Sequence, residues 1–324
     1  MPAQPPVAAI GVGTWAWGNS FLWGYEPGQD PQLQQAFAHC VASGLRFFDT
    51  ADSYGTGRFN GRSETLLGAF CAALPEAERQ TLTVATKLAP FPWRLGRAGL
   101  RRALQASRER LQGKLERVQL HWSTARYAPW QDMPLLDGLA DALLAGEVAE
   151  LGVSNMGPLR LAALQTRLAA RGVRVSSLQV QASLLAPEPF RPGGLAQRCR
   201  ELGIELIAYS PLALGVLCRP PGPLPPLPSG PRGLLFRRLW PGIQPLLTAM
   251  AAIADSRGAT QAEVALNWCR GHGAMPIPGI RSVAQAKTAA AALGWSLEPD
   301  ELSLLDRVAL EGRARMPANP FGSA

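Results

Sequence analysis

Short β-rich runs alternate with amphipathic helical stretches, and this predicts an α/β chain folded as a (β/α)8 TIM barrel. Eight candidate strands occur, at 8–14 (AAIGVGT), 45–50 (LRFFDT), 82–87 (LTVATK), 117–122 (RVQLHW), 149–154 (AELGVS), 176–181 (SSLQVQ), 204–210 (IELIAYS) and 274–279 (AMPIPG). Helical patterns separate them, and repeated βα units build a parallel sheet that closes at eight. The length of 324 residues fits a single domain, 1–324, since such a barrel takes about 250 residues and the remainder supplies long C-terminal-face loops. No fixed-period repeat is present.

The first strand carries a misleading pattern. GVGTWA (11–16) matches the GxGxxA dinucleotide fingerprint, which needs a helix immediately after the strand. WGNSFLWGYEPGQD follows instead, so a Rossmann fold is excluded. The first helical pattern is QLQQAFAHCVASG (32–44), which stops at Gly44. The basic run 97–117 spaces Leu100, Leu104, Leu111 and Leu115 at helical intervals and sends its arginines to the solvated face. Thr260 and Glu263 form a capping box for a helix over 260–273. CRPPGPLPPLPSGPRG (218–233) is too rich in Pro and Gly for either element. It follows the seventh strand and is placed as a loop over the C-terminal face.

Composition narrows the function classes. Hydrophobic residues make up 47% and charged residues 17%, which supports a large core and argues against disorder. Five scattered cysteines without a CxxC pair read as reduced thiols of a cytoplasmic protein. Three histidines exclude a His-rich metal site, and no metal is expected. No stretch is apolar enough to span a bilayer, and MPAQPPVAAIGVG lacks the features of a signal peptide. The net charge of +8 is nearly all arginine. Without nucleic-acid motifs or interleaved aromatics, it reads as a solvated arginine face rather than a nucleic-acid surface, and a phosphorylated cofactor accounts for some of it. Nothing in the sequence fixes the oligomeric state.

Four polar residues lie at or just beyond three consecutive strand ends: Asp49, Tyr54, Lys87 and His121. Singly, each has an ordinary structural explanation. Jointly they converge on one small space at the catalytic face of a barrel. Their chemistry suits carbonyl reduction. Hydride addition creates an alkoxide that needs a proton, and tyrosine is a sluggish acid near neutral pH. A lysine ammonium beside Tyr54 is expected to lower its pKa, and an aspartate keeps that ammonium charged and in place. A histidine N–H orients the carbonyl oxygen. No side chain transfers hydride, so a redox cofactor is required. Trp17, Trp23, Tyr25 and Trp122 lie near strand ends or in loops, and are expected to line an aromatic pocket for a small carbonyl substrate.

The ordered set GVGTWAWG, FFDTADSYG with GRSETLLG, VATK, QLHW, LGVSN, LQVQ, IAYSPLALGVL and PIPGIRS resembles the aldo-keto reductases from about Ala9 to Leu310. The resemblance implies a (β/α)8 barrel, a tetrad of Asp49, Tyr54, Lys87 and His121, and NADPH bound without a Rossmann domain. Matching positions imply Thr14 and Trp15 near the nicotinamide, with Asp49 beside it. Ser154, Asn155 and Gln179 match the carboxamide site, and Tyr209 the ring that stacks on the nicotinamide. Ser210, Pro211, Leu212 and Leu214 match the pyrophosphate loop. Gly279, Ile280, Arg281 and Gln285 match the adenosine end, with Arg281 on the 2′-phosphate. Two features depart from the pattern. Thr288 and Ala289 replace a Glu-Asn pair common in relatives, and YGTGRFNGRSE is longer than YGxGxSE, with Ser63 expected as a helix N-cap. SFLWGYEPGQ, GPRG and ALGWSLEPDEL most resemble the plastid and cyanobacterial branch with its pyridoxal-reductase-like enzymes. The resemblance also admits an NADPH-binding regulatory barrel with little turnover, like the potassium-channel β-subunits.

Overall fold

Eight parallel strands pair in chain order in a computed structural model that describes residues 9–319: β1 (Val12–Gly13), β2 (Phe47–Asp49), β3 (Thr83–Leu88), β4 (Arg117–Leu120), β5 (Glu150–Ser154), β6 (Val175–Gln181), β7 (Glu205–Tyr209) and β8 (Ala274–Ile277). The sheet returns on itself. Gly11 N donates to Pro276 O at 3.0 Å, Gly13 N donates to Pro278 O at 2.9 Å, and Gly13 bridges Gly279. A side chain does not fit at this seam, because a Cβ on Gly13 would stand 2.9 Å from the Ile277 carbonyl oxygen. Every expected strand is present; β3 is shifted by one residue, β6 begins one residue earlier than its run, and the others are shorter than theirs. Ala8, the first residue of the run 8–14, lies outside the described residues, as does most of the N-terminal stretch read for a leader.

The helices follow the expected order around the sheet. They include α1 (Asp30–Ala42), α2 (Arg62–Ala72), α3 (Arg101–Arg110), α4 (Asp132–Leu144), α5 (Pro158–Ala169), α6 (Leu195–Leu202), α7 (Pro231–Arg257), α8 (Gln261–Gly271), α9 (Val283–Ala291) and α10 (Pro299–Glu311). Thr260 caps α8 in the expected box with Glu263. Helix α7 begins at Pro231, so the last residues of the Pro/Gly-rich stretch form its first turn rather than loop. The remaining loop is tied to α7, with Trp240 Nε1 donating to Gly222 O at 3.0 Å and Gly222 N donating to Gln244 Oε1 at 2.8 Å. Among the described residues, no helix is long and apolar enough to cross a membrane.

Two apolar layers result. The larger fills the space between strands and helices, where Leu100, Leu104, Leu111 and Leu115 all bury. The smaller lies inside the barrel and joins Phe47, Ala85, Ile207, Met275 and Ile277. Side chains two apart share a strand face, so the face that buries Phe47 and Ala85 turns Asp49 and Lys87 inward one step higher. At the barrel's other end Arg117 pairs with Glu150 and Glu205 and covers the Phe47 ring. Arg117 therefore departs from the solvated face expected for the basic run.

Ser63 also departs from expectation. Gly61, at φ +77°, precedes the helix, and Ser63 is fully buried inside α2. Its hydroxyl lies 2.7 Å from Thr14 Oγ1 and 2.8 Å from Thr50 Oγ1, joining the ends of β1 and β2. The next residue, Glu64, is equally buried, held by Thr86 and by Arg110 Nε at 2.6 Å. Removing one partner of a buried pair strands the other charge. Arg110→Ala is expected to cost about 3 kcal/mol in urea unfolding, while exposed Arg102→Ala stays within about 0.5 kcal/mol.

Candidate active site

One cavity of about 640 Å³ opens at the C-terminal ends of the strands and runs from the tetrad to the loop after β8. Asp49, Tyr54, Lys87 and His121 all line it. Lys87 and Asp49 are an ion pair buried at the end of the barrel's inner face. Lys87 Nζ also donates to Thr50 O at 2.8 Å, and Asp49 Oδ1 accepts from Gln179 Nε2 at 2.8 Å and Gln119 Nε2 at 3.1 Å. Burial lowers the Lys87 pKa, and the Asp49 charge works against that. Gln119 was not picked out from sequence. It is the inward residue of β4 two before His121, and it faces Gly152, where a Cβ would stand 2.9 Å from Gln119 Cγ.

Tyr54 sits in the loop after β2. Lys87 Nζ stands 4.8 Å from its ring centroid, and the His121 ring is 5.8 Å away, edge-on. Burial, followed by the Asp49 charge, raises the Tyr54 pKa well above 10.0. That reverses the expected lowering by lysine, because Asp49 offsets the ammonium and desolvation dominates. Burial and then the Lys87 charge hold His121 well below 6.5, so its imidazole is neutral at physiological pH. Its Nδ1 lies 3.4 Å from Ser53 Oγ. Ser53 lines the cavity too, and nothing in its sequence context marked it.

The expected carboxamide trio comes together beside the tetrad. Ser154 Oγ donates to Gln179 O at 2.9 Å. Asn155 Nδ2 donates to His121 O and to Ser154 Oγ, both at 3.1 Å, and Asn155 Oδ1 accepts from the Tyr209 hydroxyl at 3.0 Å. Ser210, Pro211, Leu212 and Leu214 continue the wall from Tyr209. Asn155, Ser210 and Leu214 hold left-handed backbone at φ +59°, +53° and +57°. Such strain in residues with side chains collects where a site needs a fixed shape.

At the far end stand Gly279, Arg281 and Gln285. Arg281 Nη1 donates to Trp23 O at 3.0 Å, and its guanidinium lies 5.1 Å from the Trp23 ring. Arg232, at the start of α7, lies 4.1 Å from the same ring, and its Nε is buried without a partner. Burial and the Arg281 charge lower the Arg232 pKa. Neither arginine has a carboxylate partner among the described residues. Two close cations and an unspent donor form a cradle for an anion such as a phosphate.

Some expected residues lie elsewhere. Trp17 is fully buried against Phe70 and donates through Nε1 to Ile280 O at 2.8 Å. Tyr25 is buried on the other side of its loop, donating to Asp30 Oδ1 at 2.7 Å and packing on Phe59. Neither lines the cavity, so both leave the pocket set. Thr14 and Ile280 stand behind the wall: Thr14 Oγ1 donates to Asp49 O at 3.0 Å, and Ile280 is buried with its carbonyl on Trp17. Trp15, Trp23 and Trp122 do line the cavity, joined by Met316, Pro317, Ala318 and Asn319 of the C-terminal tail. The tail carries no motif, and only its position in space marks it.

The arrangement therefore offers a shielded ammonium–carboxylate pair under a protonated phenol, a neutral imidazole, an amide cluster and a distant anion cradle. A family model described as the aldo/keto reductase family matches residues 9–310. The chain is 48% identical over 318 residues to "Pyridoxal reductase, chloroplastic" of Arabidopsis thaliana, covering 97% of this chain and 87% of that protein. It is 31% identical to a 6-dehydroglucose reductase of Novosphingobium aromaticivorans, covering 88% of each. Among solved structures, an aldo/keto reductase from Klebsiella pneumoniae in complex with NADP and acetate superposes with a TM-score of 0.74 at 25% identity, over 98% of this chain and 96% of that one. The chain is an oxidoreductase and belongs to the aldo/keto reductase family.

Proposed function

We propose that the protein is a single-domain, NADPH-dependent reductase of aldehydes or ketones in which Tyr54 delivers the proton. The observation that carries this reading is the convergence of a protonated Tyr54, the buried Lys87–Asp49 pair and a neutral His121 in one cavity. NADP and NADPH, bound in two solved Klebsiella pneumoniae aldo-keto reductases of comparable shape, support the cofactor.

When bound, the cofactor supplies a hydride to the carbonyl carbon. His121, neutral and paired through Nδ1 with Ser53, keeps Nε2 for a hydrogen bond to the carbonyl oxygen. Oxygen gains negative charge as carbon gains the hydride, and Tyr54 gives it the phenolic proton. An alkoxide is far more basic than a phenolate, so the transfer runs downhill even from a tyrosine whose pKa is raised. The phenolate then faces the Lys87 ammonium until it regains a proton from solvent. Ser154, Asn155 and Gln179 would hold the carboxamide, with Tyr209 beside the ring. Ser210, Pro211, Leu212 and Leu214 would line the pyrophosphate. Arg281 would take the 2′-phosphate, with Arg232 as a second cation at the same end.

Trp122, 4.9 Å from the His121 ring, and Trp15 suit a flat, apolar carbonyl compound, whereas Trp23 lies against the two arginines at the other end. Pyridoxal is the leading candidate, supported by the name of the Arabidopsis relative. The cysteines among the described residues are free, which fits a reducing compartment such as the cytosol, although that relative is named as chloroplastic.

Four outcomes are expected. NADPH oxidation measured against aromatic, aliphatic and pyridoxal-type aldehydes should show turnover with at least one. Tyr54→Phe should lose about a hundredfold or more in kcat while NADPH binding, read by fluorescence, stays within twofold. A variant as fast as wild type would sink the proton-donor role, and wild type that binds NADPH yet reduces nothing would favour the regulatory barrel. Arg281→Ala should weaken NADPH about tenfold and leave NADH unchanged, as loss of a charged hydrogen bond predicts. An equal effect on both cofactors would remove the 2′-phosphate assignment. Because His121 is held below 6.5, the pH profile of kcat for reduction should show no step at that ordinary histidine value. A clear inflection near it would mean that His121 titrates during turnover.

A further inference from the structure

The C-terminal tail forms part of the wall at the tetrad end of the cavity. Met316 N donates to Leu185 O at 2.9 Å, which ties the tail to the loop after β6. Three residues on, the Asn319 side-chain amide reaches into the cavity. Its Nδ2 donates to Asn155 Oδ1 at 2.9 Å and to the Tyr209 hydroxyl oxygen at 2.5 Å. Asn155 Oδ1 thus receives two donors, Asn319 and the Tyr209 hydroxyl. An amide oxygen has two lone pairs, so its accepting capacity is filled. The Asn155 nitrogen is spent as well, on His121 O and Ser154 Oγ. A primary carboxamide arriving at Asn155 meets a site already holding a primary carboxamide.

We propose that Asn319 is an internal stand-in for the nicotinamide carboxamide, a tail latch that the cofactor must displace. This rests on the assignment of Asn155 to the carboxamide made above. Of the groups around Asn155, the tail is the one that can yield. His121, Ser154 and Tyr209 end strands or directly follow one, fixed by the sheet, whereas Asn319 lies beyond α10 in a segment with neither helix nor strand. The latch lowers cofactor affinity by the fraction of molecules in which it is closed. It also fills the remaining acceptor positions on Asn155 Oδ1 and the Tyr209 hydroxyl oxygen when no cofactor is bound.

The test measures NADPH dissociation constants by tryptophan-fluorescence quenching for wild type, Asn319→Ala and Asn155→Ala. Asn319→Ala should bind about fivefold tighter, the worth of one net hydrogen bond, while Asn155→Ala binds more weakly. If Asn319→Ala is unchanged or weaker while Asn155→Ala loses affinity, the latch is overturned and the carboxamide assignment stands. If Asn155→Ala keeps wild-type affinity, the assignment falls, and the latch in this form falls with it. Limited trypsin digestion followed by intact mass gives a second readout. NADPH should speed cleavage after Arg315 in the wild type, because the tail lifts. Protection or an unchanged rate would mean that the tail closes over the cofactor or ignores it, and would overturn the latch.

Discussion

The site is organised by one buried ion pair, Lys87 with Asp49, at the mouth of the barrel's interior. A lone charge in such a place is prohibitively costly, and even a pair must have its remaining donors and acceptors satisfied. Both partners meet that condition here. Asp49 accepts from Gln119 and Gln179, and Lys87 donates to Thr50 O. Four strands, β2, β3, β4 and β6, each contribute a polar inward side chain at the same level. Below that level the interior turns apolar, with Phe47, Ala85, Ile207 and Met275. The polar layer therefore cannot slide down the barrel, and the loops that carry Tyr54 and His121 start from fixed points.

The electrostatic consequence differs from a simple lysine-next-to-tyrosine argument. The ammonium's field at Tyr54 is largely cancelled by the carboxylate that holds it, so desolvation decides and Tyr54 stays protonated. The same ammonium stands uncompensated toward His121 and helps keep that ring neutral. Burial sets both proton states and the pair reinforces them, Asp49 at a phenol that keeps its proton and Lys87 at an imidazole that declines one. A cationic imidazole would compete as the acid, and a neutral one is restricted to orienting.

Much of this was legible because strand geometry is regular. Asp49 and Lys87 follow from reading polar residues at the C-terminal ends of strands, while Gln179 follows only from the resemblance of LQVQ to the family pattern. Legibility failed where that regularity stops. Residues 14–17 form a turn, so the side on which each ring falls is set by distant partners. Trp15 faces the cavity, while Trp17 turns into the core to bond Ile280, 263 residues away. Tyr25 is captured by Asp30 and Arg62 in the same manner. Ser63 fits the composition of a cap, yet the longer loop brings Gly61 to the helix start and frees Ser63 to join two strand ends. Arg232 and Asn319 are the extreme cases. Their roles come from where a long loop and a chain terminus return in space, and no local pattern encodes that return.

The two ends of the cavity act over different distances. Arg232 and Arg281 attract an anion across a Debye length of about 8 Å at physiological salt. The amide cluster at Asn155 acts only on contact and is already internally paired. On the proposed reading, a phosphorylated cofactor is held first at the arginine end. Its neutral ring then competes for Asn155 at the high local concentration that tethering provides. A free carboxamide lacks that anchor and faces the same internal competitor unaided. Filling the amide cluster from within therefore penalises unanchored amides more than the tethered one, which makes the arginine pair and the tail two halves of one selection.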